Sequence, residues 1–279
     1  METKVYQKEN NLNLGKLLTD SLKDIRQSRF LSYQLAKRDI QAQYRQSYLG
    51  IIWAFVTPLA TAFVWIFLNS SGTVQLTETG IPYPVYAFSG TLLWSVITEA
   101  INSPMSSTNS AKGILSKINF PKEALVMSGI LKLLFNSSVK VILLLIFIFF
   151  YGVGFNWSLL LFPFVLFAGI FFGTTLGLFI TPLGILYKDI GKMITFGLQF
   201  LMYVTPVVYA IPKSGIMKTV MEWNPFTPII LTARDFAVGM PPAYLTYFFI
   251  VIACCIPLFF IALIFYRISI PILVERMSA

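Results

Sequence analysis

Apolar residues gather in six long runs separated by polar stretches, and a polar front of about fifty residues precedes them. The runs cover about 51–69, 83–103, 125–150, 158–181, 192–210 and 244–267. A hydrocarbon core of ~30 Å needs roughly 20 residues at ~1.5 Å each, so each run predicts a membrane-spanning helix. Within the front, Leu14, Leu18, Leu22 and Ile25 recur at helical spacing, and Leu31 and Leu35 continue a similar stripe. Charges occupy much of the opposite face, which predicts an amphipathic helix lying on a membrane surface. Between the fifth and sixth runs, 211–243 carries Pro212, Pro225, Pro228, Pro241 and Pro242, yet IMKTVMEW and PIILTARDFAVG read as short apolar helices. Proline marks their ends, and protein can shelter the broken backbone, so two re-entrant helices are expected there. The predicted fold is therefore all-α and integral to a membrane. It has six spans, an interfacial N-terminal helix and re-entrant helices before the sixth span. Residues 1–50 form the interfacial segment, 51–267 the membrane domain and 268–279 a tail.

Charge orients this layout. Nine Lys and Arg precede the first run: Lys4, Lys8, Lys16, Lys23, Arg26, Arg29, Lys37, Arg38 and Arg45. Basic residues beside a first span hold that end in the cytoplasm. Loops 104–124 and 182–191 and the tail are then cytoplasmic, and 70–82, 151–157 and 211–243 lie outside. Counted this way, sixteen Lys and Arg are inside, three are outside (Lys213, Lys218 and Arg234), and Lys132 and Lys140 fall within the third run. The expected location is the cytoplasmic membrane, multi-pass, with both termini inside. Hydrophobic residues make up 56% of the chain and charged residues 12%, and the mean hydropathy is +0.73. Against that background a net charge of +9 reports positive-inside loops and anionic lipid rather than nucleic acid. There is no histidine, which removes Ser/His and Cys/His catalysis and most zinc chemistry. Cys254 and Cys255 are adjacent in an apolar run and form no disulfide framework. No catalytic set, metal site or bound cofactor is expected.

The stretch KRDIQAQYRQSYLGIIWAFVTPL (37–59) joins a basic helix ending in Tyr-Arg-x-Ser-x-Leu-Gly to Trp-x-Phe-x-x-Pro. It resembles the membrane subunit of ABC polysaccharide exporters, the permeases for O-antigen, capsule or teichoic acid. Four further blocks resemble the family in chain order: ITEAINSPMSSTNSAKGILSKINFPKEAL (97–125), ILYKDIGKM (185–193), LQFLMYVTPVVYAIP (198–212) and WNPFTPIILTARDFAVG (223–239). The resemblance implies a permease that moves a lipid-linked polysaccharide outward as a homodimer with two ABC ATPase subunits. No G-x-x-x-x-G-K-[S/T] occurs, so ATP and Mg are expected on the separate ATPase chain.

By the same resemblance, 104–124 contains the helix that couples to the ATPase. Its expected contacts are Lys112, Ile114, Leu115, Lys117, Phe120, Pro121, Lys122 and Glu123, with Lys188 and Asp189 in the second cytoplasmic loop. The residues alone fit either that or a solvated loop ended by Pro121; exposed Ile and Phe on a short helix favour an interface. Glu99 and Lys140 lie inside spans, where charge is costly; they either line the pathway or form a satisfied interhelical pair. Aromatic residues make up 16% of the chain. Sugar rings present C–H faces that stack on aromatics, so a sliding polymer suits a wall of Tyr48, Trp53, Phe55, Phe63, Trp94, Tyr203 and Tyr209. Lipid contact or packing is the alternative for each. Arg45 completes the pathway candidates. Two rival functions share the layout: an ABC permease for a small lipid or drug, and a membrane scaffold or enzyme that works without ATP.

Overall fold

The computed structural model describes residues 14–278, apart from 46, 73–79, 116 and 119. Most of the predicted segment 70–82 and the first thirteen residues of the front lie outside the described residues. The described chain is helical throughout: α1 (Leu14–Gln27), α2 (Arg29–Arg45), α3 (Trp53–Ser70), α4 (Tyr83–Ser110), α5 (Lys112–Leu115) and α6 (Glu123–Phe150). Then follow α7 (Phe162–Leu186), α8 (Lys188–Tyr203), α9 (Ile216–Trp223), α10 (Phe226–Val238) and α11 (Leu245–Ser278).

Among the described residues, four segments are long and apolar enough to cross a membrane: Gly50–Ser70, Glu123–Phe150, Phe162–Leu186 and Leu245–Leu273. The run at 83–103 falls within α4, which is 28 residues long but diluted by Ser, Thr, Asn and Glu99. The run at 192–210 is not one helix. α8 has 16 residues and ends at Tyr203, and 204–212 turns without helix. Pro206 explains the stop, because it lacks an N–H and disfavours helical backbone at Thr205. The two short helices expected in 211–243 are present as α9 and α10. The stretch read as a tail continues the helix, since α11 runs to Ser278.

α4 is the spine of the bundle, with α7 and α6 against it. On α7, Gly169, Gly173 and Gly177 repeat at spacing four and let the helices close. A Cβ on Gly173 would sit 2.7 Å from Ala100 Cβ and 2.8 Å from the Ile97 carbonyl. Small residues at such spacing are how helices pack in lipid, where apolar burial supplies little drive between them. α3 contrasts sharply. Only 6% of its apolar window is buried, against 56% for α7. Phe63, Val64 and Phe67 are bare.

The front helix is seated differently from its leucine stripe. α1 turns Leu17, Ser21 and Asp24 inward, followed by Ser28 just past its end, all buried, while Leu22 is half exposed. Side chains three and four apart share one face, and here the buried face is mostly polar. The stripe led by Leu18 and Leu22 is displaced to the flank.

Candidate functional site

Two polar constellations stand out in this apolar molecule. The first is a cavity of about 290 Å³ between the end of α2 and helices α3, α4 and α6. Its polar lining follows one rule. Trp53, Thr57 and Thr61 on α3, Thr91, Ser95 and Glu99 on α4, and Asn136 and Lys140 on α6 are each spaced by four. Residues four apart lie on one helix face, so three helices each turn a polar stripe to the same space. Lys140 and Glu99 form an ion pair; the lysine side chain is 9% exposed and the glutamate 39%. The carboxylate end is thus the one that opens into the cavity. Tyr44 on α2 donates to Asn136 Oδ1 at 3.3 Å, tying the front segment to α6. Burial, and secondarily the Glu99 charge, raises the Tyr44 hydroxyl above its ordinary pKa, so it remains a donor.

Of the predicted pathway residues, the cavity gathers Trp53, Glu99 and Lys140. Tyr48, Arg45, Phe63 and Tyr203 are exposed, and Phe55 is half-buried against the core. Tyr209 is half-buried and donates its hydroxyl to the Tyr203 carbonyl. Trp94 is different. It is buried in the core with its ring 5.6 Å from Phe226, so it packs inside the protomer. Tyr44, Thr57, Thr61 and Ser95 were not predicted, although the spacing of four on α3 and α4 was legible.

The second constellation surrounds the segment between α4 and α6. α4 runs on to Ser110, and α5 is a single turn, so the expected helix over 113–120 is shorter than its sequence suggested. Among its described apolar side chains, Ile118 alone is well exposed. Leu115 and Phe120 are buried, Ile114 is half-buried, and all three pack with Leu31 and Leu35 of α2. An apolar groove within the chain captures them, which a local pattern cannot register. Lys117 and Ile118 form the exposed tip, and Lys112 and Pro121 are half-buried. Lys122 lies 5.1 Å from the Phe120 ring centre. Burial pulls its pKa down, and neighbouring Glu123 partly opposes that. Asp189 is exposed in the first turn of α8, which Lys188 begins.

Glu123 opens α6 and is buried. Its carboxylate accepts from Arg267 Nη1 at 2.6 Å and from Ser21 Oγ at 2.8 Å. The same Arg267 Nη1 donates to Asp24 Oδ2 at 3.0 Å. Beside this cluster the Tyr266 hydroxyl lies 2.8 Å from Thr108 Oγ1 and 3.5 Å from the Lys122 carbonyl oxygen. Asp24, Ser21 and Tyr266 were not singled out from sequence; a buried acid on a helix face that otherwise reads as amphipathic was the available signal. Among the described residues, no three of His, Cys, Asp and Glu gather closely enough to hold a metal ion.

Comparison with known proteins places these features in a wider group. Residues 31–236 match the model of the family described as ABC-2 type transporter. The chain is 26% identical over 212 residues to the O-antigen export system permease protein RfbA of Myxococcus xanthus, covering 75% of this chain and 80% of that one. It is 22% identical over 209 residues to the protein of the same name from Klebsiella pneumoniae, covering 72% and 77%.

Proposed function

Because this chain belongs to the ABC-2 type transporter family, we propose that it is the permease subunit of an ATP-driven exporter of lipid-linked polysaccharide. The observation that carries this reading is the match to relatives named as O-antigen export permeases over 72–75% of the chain. On it, α3, α4, α6, α7, α8 with its following turn, and α11 make six crossings of the cytoplasmic membrane. α9 and α10 re-enter the outer side, and both ends of the chain are cytoplasmic, as the distribution of Lys and Arg favours.

A spanning helix as bare as α3 supports a second copy of the chain as its cover, with the pathway between the two. Lipid would satisfy its Phe63 and Phe67, while the Thr57 and Thr61 stripe faces the cavity beside the Glu99–Lys140 pair. Hydroxyls, an amide and an aromatic face are the groups that a sugar meets well while sliding. Arg45, Tyr48, Trp53 and Tyr203 remain accessible to cargo in this arrangement. Trp94 supports the wall from behind.

ATP and its magnesium ion belong to two partner ATPase chains. The tip at Lys117 and Ile118, with Asp189 nearby in the cycle, is the surface offered to them. ATP-driven closure of the ATPases would push on 112–122, and that push reaches α6 at Glu123.

Co-purification with the ABC ATPase encoded beside this chain tests the reading. A two-plus-two complex is expected, with ATP hydrolysis that changes when 112–120 is deleted. A chain that stays monomeric and leaves hydrolysis unaffected would refute it.

A further inference from the structure

One guanidinium joins three parts of the chain that are far apart in sequence. Arg267 near the end of the membrane part of α11 holds Asp24 of α1 and Glu123 of α6 through a single nitrogen. Ser21 Oγ completes the contact, donating to the same glutamate oxygen and lying 3.3 Å from the arginine. Asp24 and Glu123 side chains are each 1% exposed and that of Arg267 is 17% exposed, so water screens the cluster little.

The seat of α1 makes this clasp decisive. Helices usually dock by burying an apolar stripe, and that stripe then holds them whatever the charge state. α1 instead buries Ser21 and Asp24 beside one leucine, Leu17, with Ile25 packed and Leu18 half-buried at the side. Little apolar area holds it, and the charged contact supplies the rest. Glu123 in turn lies directly after the 112–122 segment, next to Lys122, whose carbonyl faces Tyr266. Displacement of that segment therefore arrives at Glu123 along the chain, and at α2 through Leu115 and Phe120.

We propose that Arg267 is the positioning residue that makes α1, the start of α6 and the end of α11 move as one body when 112–122 is pushed. The role rests on the transport reading above. Without the guanidinium, two buried carboxylates would face each other, and α1 would leave its seat as one of them seeks water. The pushed segment would still move, but the front helix and α11 would not follow.

Two measurements separate this proposal from the transport reading itself. The first needs no ATPase. In a chain with both natural cysteines changed to alanine, Leu17→Cys is labelled with a membrane-impermeant maleimide in inside-out vesicles. Adding Arg267→Gln is expected to speed labelling by about tenfold or more, as loss of one partner of a buried ion pair implies. The exchange Glu123→Arg with Arg267→Glu, made together with Asp24→Asn so that no second acid faces the relocated carboxylate, is expected to return it to within about threefold of the parent, since the opposite charges again meet.

The second measurement is export by the complex with the ATPase. Arg267→Gln is expected to assemble yet export about tenfold less, and the charge exchange to restore export. Unchanged labelling in Arg267→Gln, export within about twofold of the parent, or no rescue by the exchange would each overturn the proposal. Should Arg267→Gln fail to accumulate, Asp24→Asn keeps the Arg267–Glu123 contact and is expected to speed labelling by about threefold; parental labelling there would overturn it equally. A parent chain that never binds the ATPase would refute the transport reading, while the labelling still reports on the clasp.

Discussion

Two arginines hold the molecule at opposite ends of α4, one buried and one half-buried, and they do so by different chemistry. Arg234 on α10 is 2% exposed. Nη1 donates to the Pro206 carbonyl at 3.1 Å, Nη2 to the Val207 carbonyl, and Nε to Ser89 Oγ at 3.2 Å. Its carbon lies 3.7 Å from the Tyr86 ring centre. Every one of these partners is neutral, and together they fix the turn after α8 against α4 and α10. Gly90 is needed there because a Cβ would collide with the Val207 carbonyl and the guanidinium. Arg267 holds carboxylates instead. From Ser89 to Thr108, beside the second clasp, α4 advances ~28 Å, close to a hydrocarbon thickness. The neutral fork fixes geometry and does not respond to charge. The charged clasp joins segments only while its charges balance, which suits the coupling role proposed for that end.

The sharpest way to break this contrast is to replace each arginine by lysine. A lysine is a point charge without the planar fork. Arg234→Lys strands two carbonyls while still burying a cation, a loss of ~3–5 kcal/mol. Monodisperse protein extracted from membranes is expected to fall by about tenfold or more. Arg267→Lys keeps a cation between two acids, and yield and export are expected to stay within about threefold of the parent. If the two substitutions behave alike, the distinction between the clasps is wrong.

The Glu99–Lys140 pair offers a third case, charged like Arg267 but set in the spanning part. Lys140→Met alone leaves an unpartnered carboxylate among the spans, costing about 2.5–3.5 kcal/mol on insertion scales. Lys140→Met with Glu99→Gln is expected to recover most of the lost yield. A double variant no better than the single one would mean that the pair does not hold α4 to α6.

Glu123→Gln keeps a hydrogen-bond acceptor for Arg267 but removes one charge. The expected thermal destabilisation is ~1–3 kcal/mol, read as a lower unfolding midpoint. Tyr44→Phe removes one neutral hydrogen bond to Asn136 and is expected to cost ~0.5–1.5 kcal/mol. A loss from Tyr44→Phe as large as that from Glu123→Gln would erase the ranking of charged over neutral contacts at this end.

Local features of the sequence translated well. α9 occupies the stretch IMKTVMEW residue for residue and Pro225 caps the start of α10, whereas glycines, Gly215 and Gly239, mark the outer ends of the pair. The cavity lining was legible in part, because Glu99 and Lys140 are charges inside apolar runs and their neighbours repeat at spacing four. Partnership across the chain was not. Asp24 and Arg267 are 243 positions apart, and Ser21 and Glu123 are 102 apart. Spacing along one helix carries no information about which remote helix faces it. The same limit explains Leu115 and Phe120. Phe120 reads as exposed because the apolar cluster with Leu31 and Leu35 that receives both is invisible to local pattern. The helix stop at Tyr203 lies between these cases: Pro206 announced a break, but the apolar run through Ala210 concealed its position.

The account turns on whether this chain moves polysaccharide at the expense of ATP. The direct measurement reconstitutes the chain with its ATPase in vesicles carrying lipid-linked polymer on the ATPase side, and follows polymer reaching the opposite face. Transfer that requires ATP, stops with a non-hydrolysable analogue and falls with Arg267→Gln is the predicted result. Polymer that crosses equally without ATP, or does not cross with it while the complex hydrolyses ATP, would contradict the account.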